Sequence, residues 1–96
     1  MVSYVNKVIV VISKWSARTA NLRCFEICND LVDLGFVICD GRIGGHKIVS
    51  HPMMKRFIGA DFNCGHGTNP IVKPVYVRKL LRVLKDYKIY LCEVSK

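Results

Sequence analysis

The chain is short of acidic residues. Seven Asp and Glu stand against 15 Lys and Arg, for a net charge of +8. That excess says nothing about fold, but it favours a polyanionic partner, most commonly nucleic acid. Long apolar runs are also missing. Near the N-terminus Val8-Ile9-Val10-Val11-Ile12 follows Lys7 and is cut by Ser13-Lys14. It is shorter than the about 7–15 residues of a signal-peptide core. It is far shorter than the roughly 20 needed to cross a bilayer. A soluble, cytoplasmic protein with no membrane partner is therefore expected. Repeats and low-complexity segments are absent. Ninety-six residues leave room for one domain. They exclude a large enzyme with its own cofactor domain, and no cofactor is expected.

Paired cysteine motifs are lacking too. The five cysteines are Cys24, Cys28, Cys39, Cys64 and Cys92. Their odd number and irregular spacing do not resemble a secreted disulfide framework. Cys24 and Cys28 are four apart, on one face of any helix, and read as small apolar core residues. Cys64-Gly65-His66 lacks the second close ligand pair that zinc sites usually show. Reduced, buried thiols and no metal are the expectation.

The charge that is present is unevenly placed. Residues 1–40 carry four basic and four acidic groups, whereas residues 41–88 carry ten basic groups against Asp61 and Asp86. The net charge therefore lies wholly in the second part, as a phosphate-contacting surface or a solvated face would have it.

Residues 4–14 are apolar and β-branched, and their periodicity fits a buried strand or a helix. Cys24, Ile27, Cys28, Leu31 and Leu34 then make a helical stripe, predicting a helix over residues 21–34. Asn21 is its expected N-cap and Gly35 its terminator. Phe36-Val37-Ile38-Cys39 reads as a strand. A glycine-rich connection leads to a second strand over residues 46–51, stopped by Pro52. Residues 60–64 suit a short third strand. Pro74 suits the first turn of a helix over residues 74–87. In it Val77, Leu80, Leu81 and Leu84 form an apolar stripe, with Arg78, Arg82 and Lys85 beside it. Residues 89–94 fit a short strand or a segment that packs down. The expected fold is α+β, with a three-stranded antiparallel sheet and two helices on one face.

The chemistry concentrates in Gly44-Gly45-His46-Lys47-Ile48-Val49-Ser50-His51-Pro52. Two glycines let backbone approach a ligand closely. A histidine opening a rigid strand can take or give a proton near neutral pH. Lys47 and Arg42 can hold a phosphate. RNA carries its own nucleophile, the 2′-hydroxyl, so one histidine among cations needs no metal to cleave it. The competing reading makes His46 a core histidine, since it shares strand parity with Ile48. His51 reads as a strand-end cap or turn residue and a weaker catalytic candidate. His66, between Gly65 and Gly67, is another.

From residue 22 to residue 89 the chain resembles the HicA family of bacterial toxins, the mRNA interferases of HicA–HicB toxin–antitoxin pairs. The residues that carry the likeness are Leu34-Gly35-Phe36, Gly44-Gly45-His46, His51-Pro52, Lys73-Pro74, Tyr76-Val77-Arg78-Lys79 and Leu84-Lys85-Asp86-Tyr87. The resemblance implies a double-stranded-RNA-binding-domain-like α-β-β-β-α sandwich with His46 as the active histidine. Gly45 stands where the family usually has serine. It further implies mRNA as substrate and a HicB-type antitoxin as the protein partner that covers His46 and the basic face. By analogy with longer members, residues 1–20 form an extra, helical segment packed on a domain of residues 21–96.

The expected function is thus a metal-independent endoribonuclease with His46 as general acid and base. Gly44, Gly45, Lys47, Arg42, Arg78, Arg82 and Lys85 would contact RNA, and His51 and His66 stand second. A non-catalytic RNA-binding module of the same fold, or a small basic protein that binds an acidic partner, are the alternatives.

Overall fold

The computed structural model describes residues 5–94. Expectations for residues 1–4 and 95–96 lie outside the described residues. Seven elements follow in order: α1 (Val5–Ala17), α2 (Cys24–Asp33), β1 (Val37–Asp40), β2 (His46–Ser50), β3 (Ala60–Asn63), α3 (Pro74–Asp86) and α4 (Lys88–Val94). The expected sandwich order is present at the centre, but it is flanked by a helix on each side. The architecture is α+β in the order α-α-β-β-β-α-α.

The sheet is antiparallel with β2 in the middle. Its parity is set by what can be buried. Val49 and Phe62 point into the core and are almost wholly buried, with Ile38 packed against it. Val37, Ile48 and Asp61 alternate to the other side and stay exposed. The helices cover the first face, α2 against β1 and α3 against β3, and leave the second face open.

α1 settles the ambiguity of the N-terminal apolar run. Val8, Val11 and Trp15 recur at helical spacing and are all buried, so tertiary packing overrides the weak helix propensity of valine and isoleucine. α1 packs along α3 and α4 and shares one core with α2 and the sheet. Trp15 Nε1 donates to Asp30 at 2.9 Å. Lys14 pairs with the same carboxylate at 2.7 Å, and Arg18 with Glu26 at 2.5 Å. Glu26 and Asp30 thus pair with α1 and the turn after it, whereas Asp40 pairs with Lys47 of β2.

Three local expectations are corrected. α2 starts at Cys24, with Arg23 at the cap position, rather than at Asn21. Its orphan donors are satisfied from a distance: Phe25 N donates to Asn69 Oδ1 at 3.0 Å, and Cys24 N to Pro70 O at 2.9 Å. Residues 89–94 belong to a helix, not a strand: Leu91 N donates to Tyr87 O at 2.9 Å, one helical turn back, and the Leu91 side chain is buried in the core. Cys24 and Cys64, expected as reduced thiols, form a disulfide across 40 residues of sequence with Cα atoms 5.3 Å apart. The fold brings the start of α2 against the end of β3, a proximity that sequence spacing does not encode. Gly35 does terminate α2, at φ +92°.

Candidate active site

β1 and β2 form a hairpin closed by a backbone bond from Gly41 N to His46 O at 2.9 Å. His46 is thus the first residue of β2, at the mouth of the hairpin. Its parity is that of Ile48, which is exposed, so the ring lies on the open face of the sheet and not in the core. The ring is 30% exposed. It lies across Gly41, where an added Cβ would stand 2.1 Å from Nδ1. Glycine at 41 makes the room for this imidazole.

His46 Nε2 is 2.9 Å from Asp61 Oδ2, on the neighbouring strand and the same face. Asp61 Oδ1 accepts from Lys79 Nζ of α3 at 2.6 Å. The Lys79 ammonium, and after it the His46 ring, hold the Asp61 carboxyl below its ordinary range. An ionised carboxylate only accepts hydrogen bonds, so Nε2 carries the hydrogen of neutral His46 and Nδ1 keeps its lone pair. Lys79, Asp61 and His46 therefore form one polar chain running from α3 around the edge of β3 to the hairpin mouth.

Gly45 serves a close backbone approach within the protein. Its φ is +81°, and a Cβ there would meet Gly65 O at 2.5 Å. Cys64 N donates to Gly45 O at 2.8 Å, so the hairpin backbone is laid directly against the end of β3. Gly44 has nothing within 4 Å of an added Cβ and is under no such constraint.

Lys47 lies on the opposite face of β2 from His46. Strand alternation turns it to the helix-covered face, where Nζ pairs with Asp40 Oδ1 at 2.5 Å. That bond raises the Lys47 pKa above its ordinary value. It does not join His46. Lys79 is the cation linked to His46, through Asp61. Arg42 is exposed in the hairpin loop. Arg78, Arg82 and Lys85 are exposed along α3 and line one shallow groove with Leu81 and Asp86.

The other histidines part company. His51 is 6% exposed and both its ring nitrogens are engaged. Nε2 donates to Leu34 O at 2.9 Å, and Nδ1 accepts from Met53 N at 3.2 Å. Its ring meets Phe36 edge to face at 4.8 Å. It is a strand-end core histidine, away from His46's face. His66 is exposed and lines a cleft of about 410 Å³ with Asn63, Cys64, Gly65, Ile71, Lys73 and Tyr76.

Asp61, Lys79 and Gly41 are the site residues that sequence reasoning missed. Asp61 and His46 share an open sheet face only once the β2–β3 register is known, with His46 opposite Asn63 and Ile48 opposite Asp61. A scarce acid inside a basic region was the available signal. Among the described residues the one group able to hold a metal is Cys24, Cys28 and Cys64. No helix of the described residues is long and apolar enough to cross a membrane. Comparison of the chain with protein-family models, with curated proteins and with solved structures finds no match in any of the three.

Proposed function

We propose that the chain is a ribonuclease toxin similar to the HicA type, with His46 as its single catalytic residue. The observation that carries this reading is the His46–Asp61–Lys79 chain on an open sheet face beside a hairpin relieved of side chains. A purely structural surface histidine needs neither an oriented carboxylate nor a glycine under its ring. The finer fold assignment, a double-stranded-RNA-binding-domain-like sandwich carrying two extra helices, is part of the same proposal. The central α2-β1-β2-β3-α3 order supports it.

In this mechanism Nδ1 of His46 takes the proton of the RNA 2′-hydroxyl. The 2′-oxygen attacks the adjacent phosphorus, and the bond to the 5′-oxygen of the next nucleotide breaks. The imidazolium returns its proton to that leaving oxygen. The products are a 2′,3′-cyclic phosphate and a 5′-hydroxyl end. Asp61 fixes the ring and stabilises the imidazolium, and Lys79 keeps Asp61 ionised. Arg42, exposed in the hairpin loop that leads to His46, binds the phosphate, since Lys47 is paired with Asp40. Arg78, Arg82 and Lys85 contact the strand along α3. No step requires a metal ion.

A HicB-type antitoxin would neutralise the protein by covering this face. Exposed Ile48 beside Asp61, with Ile43 in the hairpin loop and Val37 on β1, gives such a partner apolar contacts. The test is induction of the wild type and of His46→Ala in a bacterial host at equal abundance. Growth arrest with RNA decay from the wild type alone supports the proposal. Folded proteins that both leave RNA intact remove it.

A further inference from the structure

The three sulfurs of Cys24, Cys28 and Cys64 lie within 4.8 Å of one another. A disulfide between Cys24 and Cys64 accounts for two of them. It does not account for Cys28, which remains a free, half-buried thiol one helical turn along α2. Two of the three arms are pinned by backbone bonds to other segments. Cys24 N is bonded to Pro70 O at 2.9 Å, and Cys64 N to Gly45 O at 2.8 Å. Arg23 Nη1 is bonded to Asn69 O at 2.9 Å. The cluster is thus held in place by more than its own bridge.

Three thiolates converging in this way match the protein ligand set of a tetrahedral soft-metal site. Such a site has Zn–S bonds of about 2.3 Å and hence sulfurs about 3.8 Å apart. A fourth position is available. Cys64 lines the same cleft of about 410 Å³ as His66, so the histidine or a water from that cleft would complete the shell. The geometry points to a Zn2+ site made by Cys24, Cys28 and Cys64 in the reduced protein. The site is independent of the nuclease reading and takes the place of the disulfide.

The two states are related by a balanced exchange. A dithiol reductant gives two electrons and two protons to the Cys24–Cys64 bond and itself closes to a disulfide. Zn2+ then displaces the thiol protons to solvent as the sulfurs bind. Either cross-link ties α2 to the end of β3. The same junction would thus be held closed under oxidising and reducing conditions.

The test uses the full chain, reduced with a dithiol, desalted without oxygen and titrated with Co2+ as a spectroscopic probe. One Co2+ per chain is expected, with the sulfur-to-cobalt charge-transfer bands and strong visible bands of a tetrahedral thiolate site. Zn2+ should displace it and raise the melting temperature of the reduced protein. Cys28→Ser should lose these bands while still forming the Cys24–Cys64 bridge when oxidised, which reports that it folds. Cys39→Ser, at an exposed position outside the cluster, should keep them. No thiolate bands from the reduced wild type, or equal bands from Cys28→Ser, overturn the assignment.

Discussion

His46 and Asp61 meet at 2.9 Å across two strands, two residues out of direct register. Neither residue is held by burial. The carboxylate is 53% exposed and the ring 30%. Lys79 and the packing over Gly41 hold them instead. The pair therefore sits where solvent and substrate can reach it while its orientation is still fixed. Asp61 is a positioning residue in this account, and His46 is the residue that touches substrate.

Asp61→Asn keeps the shape but can offer its amide hydrogens to Nε2, which releases the ring from the tautomer that leaves Nδ1 basic. RNA cleavage should fall by roughly 10–100-fold, within the usual range for general acid–base effects. RNA binding should change little, and thermal stability should fall only slightly, because the Asp61 pairs are half exposed to solvent. A purely structural Asp61 would give the reverse pattern, lost stability with cleavage per folded molecule unchanged.

The three glycines of the hairpin should respond differently to alanine. Gly41 has no positive φ, so Gly41→Ala asks nothing of the backbone, yet its Cβ falls on the His46 ring. Cleavage should drop by about 10-fold or more in a protein that stays folded. Gly45→Ala meets both a positive φ and the Gly65 carbonyl, and should lose stability by about 1–2 kcal/mol or more. Gly44→Ala should be silent. Melting curves and a cleavage assay on the three variants separate these outcomes.

The α3 cations test the RNA path. Arg78 and Arg82 are exposed, and their removal leaves the core intact. Each change to alanine should weaken RNA binding and lower the slope of log affinity against log salt by about one unit. An unchanged slope would place the RNA elsewhere on the molecule.

Much of this architecture is legible in the sequence where one period dominates. The stripe of Ile27, Leu31 and Leu34 ending at Gly35, and that of Val77, Leu80, Leu81 and Leu84 after Pro74, specify α2 and α3 directly. The run at Val8-Ile9-Val10-Val11-Ile12 is different, because β-branched residues suit either element and only burial of Val8, Val11 and Trp15 decides it. The site is legible in part for a similar reason. His46 announces itself by the glycines before it. Asp61, Lys79 and the Cys24–Cys64 contact depend on register and on docking between elements far apart in sequence. The separation of Lys47 from His46 is of the same kind, because only burial of Val49 fixes which face of β2 each residue takes.

Acid should destabilise the fold in a defined direction. Glu26 is held below its ordinary value mainly by its hydrogen bond from Arg18, and Asp61 by that from Lys79. Groups depressed in the folded state contribute stability above their unfolded values, 4.5 and 3.8. That contribution is lost as pH falls through the lower folded values. The urea midpoint should therefore decline below about pH 5, and Glu26→Gln should flatten the decline. Stability that rises as pH drops through this window would contradict the pairing.

The most direct test of the central claim is a cleavage assay on the purified protein with a single-stranded RNA, without added divalent metal. The wild type should cut and leave 2′,3′-cyclic phosphate ends. His46→Ala should bind the same RNA with the same salt dependence and leave it whole. An RNA bound by both proteins and cut by neither would contradict the account and make the chain a binding module.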